Sequence, residues 1–318
     1  MKIKETIVKL IAFGTIILLI ALLIKKVSPP NVDNYYAAIS DKISNNKEPS
    51  YYFIGSSRVQ KSVNPKILRD HFNNSNIHNT AISSSTFLSN CILADYLIRT
   101  QGSNVLFIEL SPIIPELPKG LIKFSNEANI NITETIKALT KKENLRQKTI
   151  INLNALNSYF FLKTPLKESM KRILNHNNDS EKSSTKLMGF ISLKGNNFYS
   201  TTPFITYKEI NYSSKKNKNL KSYHNYINYL LELSELYDSK IVFFLPVTYL
   251  KEKEKDIVIP LYNSLPDSVK IRYSKGFIES ITNANYLLDG NHFNNKGATK
   301  YTNLLCPLLE GYFTTTNK

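Results

Sequence analysis

Apolar positions along this chain fall into three patterns, and each predicts a different element. The first is the uncharged run Leu10 to Ile24, LIAFGTIILLIALLI. Extended back to Ile7 it takes in Lys9, whose stem can snorkel, and it then has the length of a tilted spanning helix. Lys2, Lys4 and Lys9 lie on one side of the run and Lys25-Lys26 on the other, so the positive-inside rule gives no orientation. A cleaved signal peptide is the alternative, but Lys25-Lys26-Val27-Ser28-Pro29-Pro30 is not a small-residue cleavage site. An uncleaved membrane anchor is expected in residues 1–30, spanning through 7–24, followed by a polar juxtamembrane linker in 31–49.

The second pattern is a set of short apolar runs closed by Gly, Ser or Pro. They are Tyr51 to Ile54 before Gly55-Ser56-Ser57, Ile77 to Ile82, Val105 to Leu110 before Ser111-Pro112, and Ile241 to Leu245 before Pro246. Such runs suit buried parallel strands. The third pattern has helical spacing. Phe87 to Arg99 puts Leu88, Cys91, Ile92 and Tyr96 on one face, and Asn219 to Tyr237 does so for Tyr223, Ile227, Leu230 and Tyr237. A last helix starts near Asn295, with Ala298, Tyr301, Leu305, Leu308 and Tyr312 in a stripe widened by Leu304 and Leu309. Pro307 should kink or interrupt it. Alternating strands and helices predict an α/β domain over 50–313, a three-layer sandwich with a mostly parallel sheet. Residues 118–212 break the rhythm. They read as helical at Ile132 to Leu145 and Leu166 to Leu174, then as polar loop from Asn175 to Lys186. This stretch is expected to be an insertion or cap over the sheet.

Composition narrows the class. Of 318 residues, 42% are hydrophobic, which excludes a wholly disordered chain. Two cysteines, Cys91 and Cys306, exclude a disulfide scaffold. Both lie in or beside apolar helical faces and read as buried thiols. A single long apolar segment excludes a polytopic membrane protein. The 41 basic against 25 acidic residues leave a net charge of +16. The lysines are scattered, with one dense cluster at Lys215-Lys216-Asn217-Lys218. No nucleic-acid-binding module or zinc spacing accompanies them, so no nucleic-acid partner, metal or cofactor is expected. A solvated basic surface is the plain reading, and it is compatible with anionic lipid or an anionic polymer.

Two segments carry candidate chemistry. In Phe53-Ile54-Gly55-Ser56-Ser57-Arg58 a strand ends in glycine and two serines. Reactive groups of open α/β sheets sit just past strand carboxyl ends. A serine on such a turn presents its hydroxyl outward and its N–H toward a developing oxyanion. Gly-Ser-Ser also makes ordinary loops. The second segment is Leu288-Asp289-Gly290-Asn291-His292-Phe293-Asn294-Asn295. Asp289 and His292, three apart, can share one side of a turn, where the carboxylate orients the imidazole. None of His71, His78, His176 and His224 has an acid three positions before it. The plain alternative is a surface loop capping the last helix, with Asn294 or Asn295 as N-cap.

Together, in this order and at these chain positions, the two segments resemble the SGNH/GDSL hydrolase superfamily over about residues 50–313. Gly55-Ser56-Ser57 is similar to the block that carries the nucleophile, and Asp289-Gly290-Asn291-His292 to the block that carries acid and base. Asn79-Thr80-Ala81-Ile82-Ser83-Ser84-Ser85-Thr86 resembles the second block, with Ser84 where that block has an oxyanion-binding glycine. Val105 to Pro112 occupies the third block's position but lacks its Gly-x-Asn-Asp, and losing such a donor costs on the order of 10²–10³ in rate. The resemblance is closest to the membrane-anchored branch that includes the D-alanyl-lipoteichoic acid transfer protein and alginate-type polysaccharide O-acetylation proteins.

The resemblance implies an SGNH, flavodoxin-like sheet and a Ser57 nucleophile, with His292 as base and Asp289 orienting it. The N–H groups of Ser57 and Ser84 would hold the oxyanion, and Arg58 would steer an anionic substrate or serve as a structural ion-paired residue. It implies an esterase or O-acyltransferase acting on a cell-envelope glycan or acylated polymer. The domain would stand outside the cytoplasmic membrane, beside a membrane-embedded O-acyltransferase. Two other readings compete: a non-catalytic partner that positions glycan for that acyltransferase, and a basic membrane-surface protein in which Ser57 and His292 lie far apart.

Overall fold

The computed structural model describes residues 2–27, 43, 49–73, 75–101, 103–128, 130–160, 189–195, 204–212, 220–248 and 250–313. Lys2–Val27 is a helix, α1. The domain then runs β1 (Ser50–Ile54), α2 (Ser57–Gln60), α3 (Pro65–His71), β2 (Asn76–Asn79), α4 (Phe87–Gln101) and β3 (Val105–Glu109). It continues with α5 (Lys119–Glu127), α6 (Ile132–Leu139), α7 (Leu145–Phe160), α8 (Tyr207–Tyr212), α9 (Lys221–Leu236) and β4 (Lys240–Phe244). It ends with α10 (Glu252–Ser264), α11 (Lys275–Ile281) and α12 (Asn295–Phe313).

The four strands form one parallel sheet in the order β2-β1-β3-β4. β1 and β3 are buried along their whole length, as expected where helices cover both faces. Side-chain alternation separates those faces. Tyr51 stacks on Phe313 and Phe107 meets Tyr312, so α12 covers one side. Phe243, of opposite parity, packs against Phe87 of α4, which also touches Tyr223 of α9. The result is an α/β sandwich of helix, sheet and helix. The chain leaves β1 for β2 on one side and returns to β3 on the other, so the order reverses between β1 and β3. That switch point is where open α/β sheets bind ligands.

All four expected strands form. The second ends at Asn79, short of its expected run, although the chain goes on bonding alongside β1 and its turn: Thr80 N–H donates to Phe53 O at 2.9 Å and Ile82 N–H to Gly55 O at 2.8 Å. The last helix is not interrupted at Pro307. Pro307 and Asn303 both lie on the exposed side of the helix, so the carbonyl that loses its partner to the proline is not on the buried face. Its buried face takes in Gly297, Thr302, Cys306 and Phe313, while Leu304, Leu308 and Tyr312 are half-buried. Cys91 and Cys306 are free, buried thiols.

The stretch expected as one helix from Ile132 to Leu145 is broken, with α6 ending at Leu139 and α7 starting at Leu145. Residues 166–174, 175–186 and the 215–218 lysine cluster lie outside the described residues. The insertion has two described roles. Its helix α6 packs on α4 and α9, adding a layer away from the strand ends. Its later segment, 189–195, instead runs beside the switch point, where Ile191 N–H donates to Gln60 O at 3.1 Å and Asn295 N–H to Leu193 O at 2.7 Å. No helix among the described residues is long and apolar enough to cross a membrane. The anchor expected over 7–24 therefore stands on its sequence alone.

Candidate active site

Ser57 is the first residue of α2, directly past the end of β1. Ser56 is the N-cap, and its hydroxyl accepts the Arg58 N–H at 3.3 Å. Gly55 is required by packing: a Cβ there would meet Val59 Cγ2 at 2.4 Å and Glu109 Oε2 at 2.5 Å. The turn is therefore tight because a neighbouring strand's carboxylate comes close to its backbone.

His292 arrives from the other end of the chain. Leu287 and Phe293 form an antiparallel bridge, and Leu288 N–H donates to His292 O at 2.8 Å, which makes Asp289 to His292 the tip of a closed loop. Asp289 Oδ1 accepts the N–H groups of Asn291 and His292 at 2.8 and 3.0 Å. Asn294, one of the two cap residues expected, is the one that caps α12: its Oδ1 accepts the Gly297 N–H at 3.0 Å. Its amide donates to the carbonyls of Asn285, Gly195 and Leu287, fastening the loop to the strap 189–195.

The two segments meet. Ser57 Oγ lies 2.8 Å from His292 Nε2, and His292 Nδ1 lies 2.8 and 2.9 Å from the Asp289 oxygens. With Nδ1–H donating to Asp289, Nε2 is the acceptor for the Ser57 hydroxyl. Burial alone would push the Asp289 carboxyl up; the hydrogen bond from His292, the Asn291 N–H and the imidazole's charge outweigh it and hold the carboxyl below its usual range. An ionised Asp289 can steady an imidazolium, and a hydroxyl facing neutral Nε2 can become a nucleophile.

The remaining expected residues divide. Ser84 is exposed, at φ 63°, in a turn closed by the Ser85 N–H on Ile82 O at 3.0 Å. That left-handed backbone favours glycine, the residue the resembled block carries there. Ser83 Oγ donates to Gln60 Oε1 at 2.8 Å, which ties this turn to α2. Of the two parts expected of Arg58, steering an anion or serving as a structural ion-paired residue, the observed contacts are those of the second. The Arg58 side chain is 12% exposed and its charge is taken up by Glu109 and Glu254. After β3 no asparagine follows. Ser111 is buried, with no hydrogen-bond partner for its hydroxyl among the described residues.

Sequence reasoning missed Glu109, a completely buried carboxylate. Its signal was present as a lone charge closing the apolar run Val105 to Ile108. It also missed Asn90, whose amide donates to Glu109 O at 3.1 Å and whose Oδ1 accepts the Ser85 hydroxyl at 2.8 Å, joining the second and third segments. A cavity of about 260 Å³ lies elsewhere, between α4, α6 and α9. Its central carboxylate, Asp95, is already satisfied by Arg99, Thr135 and Tyr229. Among known proteins, no family model matches the chain and no curated protein matches it.

Proposed function

We propose that the protein is a serine-dependent acyl-ester hydrolase or acyltransferase acting on a cell-envelope polysaccharide. The observation that carries this reading is the pair of contacts at His292, 2.8 Å to Ser57 Oγ on one nitrogen and 2.8 Å to Asp289 on the other. Ser57 Oγ attacks the acyl carbonyl carbon while His292 Nε2 takes its proton. The tetrahedral oxyanion is held by the Ser57 and Ser84 N–H groups. Collapse breaks the acyl–oxygen or acyl–sulfur bond, and the leaving group takes the proton from His292. Water or a glycan hydroxyl, deprotonated in turn by His292, then attacks the acyl-serine and releases Ser57.

The proposed setting is a single-pass anchor in 7–24 with the domain on the outer side of the cytoplasmic membrane. The uncharged run Leu10 to Ile24 supports it. The net charge of +16 suits an anionic glycan. One observation favours a non-catalytic partner of a membrane-embedded acyltransferase: the third segment supplies no side-chain oxyanion donor.

Fluorophosphonate labelling of the full-length protein in detergent separates the two, because the probe needs an activated serine and no native substrate. Labelling of the wild type that is lost in Ser57→Ala and His292→Ala is the expected result. A folded wild type that takes up no probe would sink the catalytic reading in favour of the partner.

A further inference from the structure

Glu109 reaches both sides of Ser57 without touching it. Its Oε2 accepts the Ser56 N–H at 2.5 Å, and its Oε1 accepts the Ser56 hydroxyl at 3.1 Å. On the other side of the nucleophile, Arg58 Nε donates to Oε1 at 3.0 Å, and Nη2 lies 3.0 Å from the same oxygen. Nη2 also donates to Glu254 Oε1 at 2.6 Å. Glu254 stands in the first turn of α10, whose next residue, Lys255, donates to Glu209 of α8 at 2.7 Å. The first turn of α10 therefore holds both the charged turn under the nucleophile, through Glu254, and the insertion, through Lys255.

A carboxylate with no solvent exposure needs a reason to be there, since desolvating a charge is costly unless it is paired and hydrogen-bonded. A glycine at 55 is also needed to admit it, because any Cβ would collide with its oxygen. Structural support for α2 alone would not need an ion pair, since the Ser56 cap already begins that helix. The carboxylate instead fixes the backbone before Ser57 and the side chain after it. That determines the direction of the Ser57 Cα–Cβ bond.

We propose that Glu109 is a positioning residue for Ser57, clamping the residues on both sides of the nucleophile, and that Arg58 carries this clamp to Glu254 on α10. The inference rests on the acyl-transfer reading. Burial draws Arg58 toward neutrality, but its two carboxylate partners outweigh this and keep it charged. A displacement of about 1 Å in a reacting group can cost about 10²-fold in rate, so the clamp acts on the rate of attack.

The test is the fluorophosphonate labelling rate per folded molecule, in the full-length protein, for wild type, Glu109→Gln and Glu254→Gln. Ser57→Ala is the blank, and cooperative thermal unfolding counts the folded fraction. With an activated ester as substrate, kcat and KM are read on the same samples. Glu109→Gln keeps an acceptor for the Ser56 N–H but turns an amide toward Arg58. Its labelling and kcat should fall by about 10- to 100-fold with KM unchanged. Glu254→Gln leaves Glu109 holding Arg58 and should lose only a few-fold. A residue that merely supports folding would change the folded fraction and leave the rate per folded molecule as in wild type. That outcome overturns the clamp. If Glu109→Gln does not fold, the partly solvated Glu254→Gln decides, and a wild-type rate there overturns it equally. A wild type that takes up no probe overturns the acyl-transfer reading and the clamp with it. A labelled wild type beside an equally labelled Glu109→Gln overturns the clamp alone.

Discussion

Ser57 and His292 come within 2.8 Å of each other, yet the turn under one is fixed by a buried ion pair and the loop under the other is fastened to its surroundings by the neutral side chain of Asn294. The difference follows from where each segment lies. The Ser57 turn leaves an interior strand, so anything that holds it must come from the neighbouring strand, in low dielectric. There a carboxylate can take several donors at once, and it needs Arg58 as counter-charge. The His292 loop sits at the start of a terminal helix, where unpaired N–H and C=O groups are plentiful. Asn294, with one acceptor and an amide, satisfies them without any net charge. The charged arrangement is stiff but brittle, because deleting one partner leaves the other buried and uncompensated, at about 3–5 kcal/mol. The neutral one loses about 1–3 kcal/mol per group left unpaired.

The comparison can be broken most sharply at Asp289. On the His292 side the charge of Asp289 serves the chemistry, and the two loop N–H groups it accepts need only an oxygen there. Asp289→Asn keeps an oxygen for the Asn291 and His292 N–H groups, so thermal stability should change little. Turnover of an activated ester should fall on the order of 10⁴-fold, the loss seen when a triad acid becomes an amide. A large loss of stability in Asp289→Asn with turnover retained would reverse the assignment of roles.

The two glycines come next in size. Gly297→Ala drives a methyl to 2.1 Å from the Tyr286 carbonyl oxygen, which the backbone holds in place. Gly55→Ala meets side chains of Val59 and Glu109, which can shift. Overpacking of this kind costs about 1–3 kcal/mol, and urea unfolding should put Gly297→Ala at the upper end. Gly55→Ala should lose labelling rate per folded molecule as well, because the atom it displaces is the Glu109 carboxylate. Equal labelling in the two variants would remove the distinction between the arms.

The smallest effect is in acid. Burial pushes the Glu109 carboxyl up, and Arg58 and the Ser56 donors recover only part of that. Asp289 is shifted the other way, below its ordinary 3.8. A lowered carboxyl contributes stability that is complete above the unfolded value and disappears as pH falls through the folded one. The stability difference between wild type and Asp289→Asn should therefore be flat from neutrality to about pH 4 and shrink below it. Chemical denaturation across that range checks the sign, and a difference that grows in acid contradicts it.

Most of the framework was legible in local pattern. Strands β1, β3 and β4 were short apolar runs, because a strand buried on both faces has no polar face to show, whereas the edge strand β2 reads Asn-Ile-His-Asn with alternating burial. Ser57, Asp289 and His292 were legible as residue types on turns. The ion pairing of Arg58 was one of two parts open to it, but its partners were not legible, because nothing near it in sequence announces them. Glu109 lies 51 residues away and Glu254 lies 196 away. The same limit hid the break between α6 and α7, where the apolar spacing continues across a turn.

Periodicity, turn residues and the order of segments are properties of neighbours along the chain, so the primary structure alone carried the α/β class, the parallel strands and the candidate trio. Distance is different. The 2.8 Å between Ser57 and His292 spans 235 residues of chain, and the space for Glu109 exists only because β3 is the strand that pairs beside Gly55. Those facts depend on which strands become neighbours and which charges lose their water together, and only packing in three dimensions determines either.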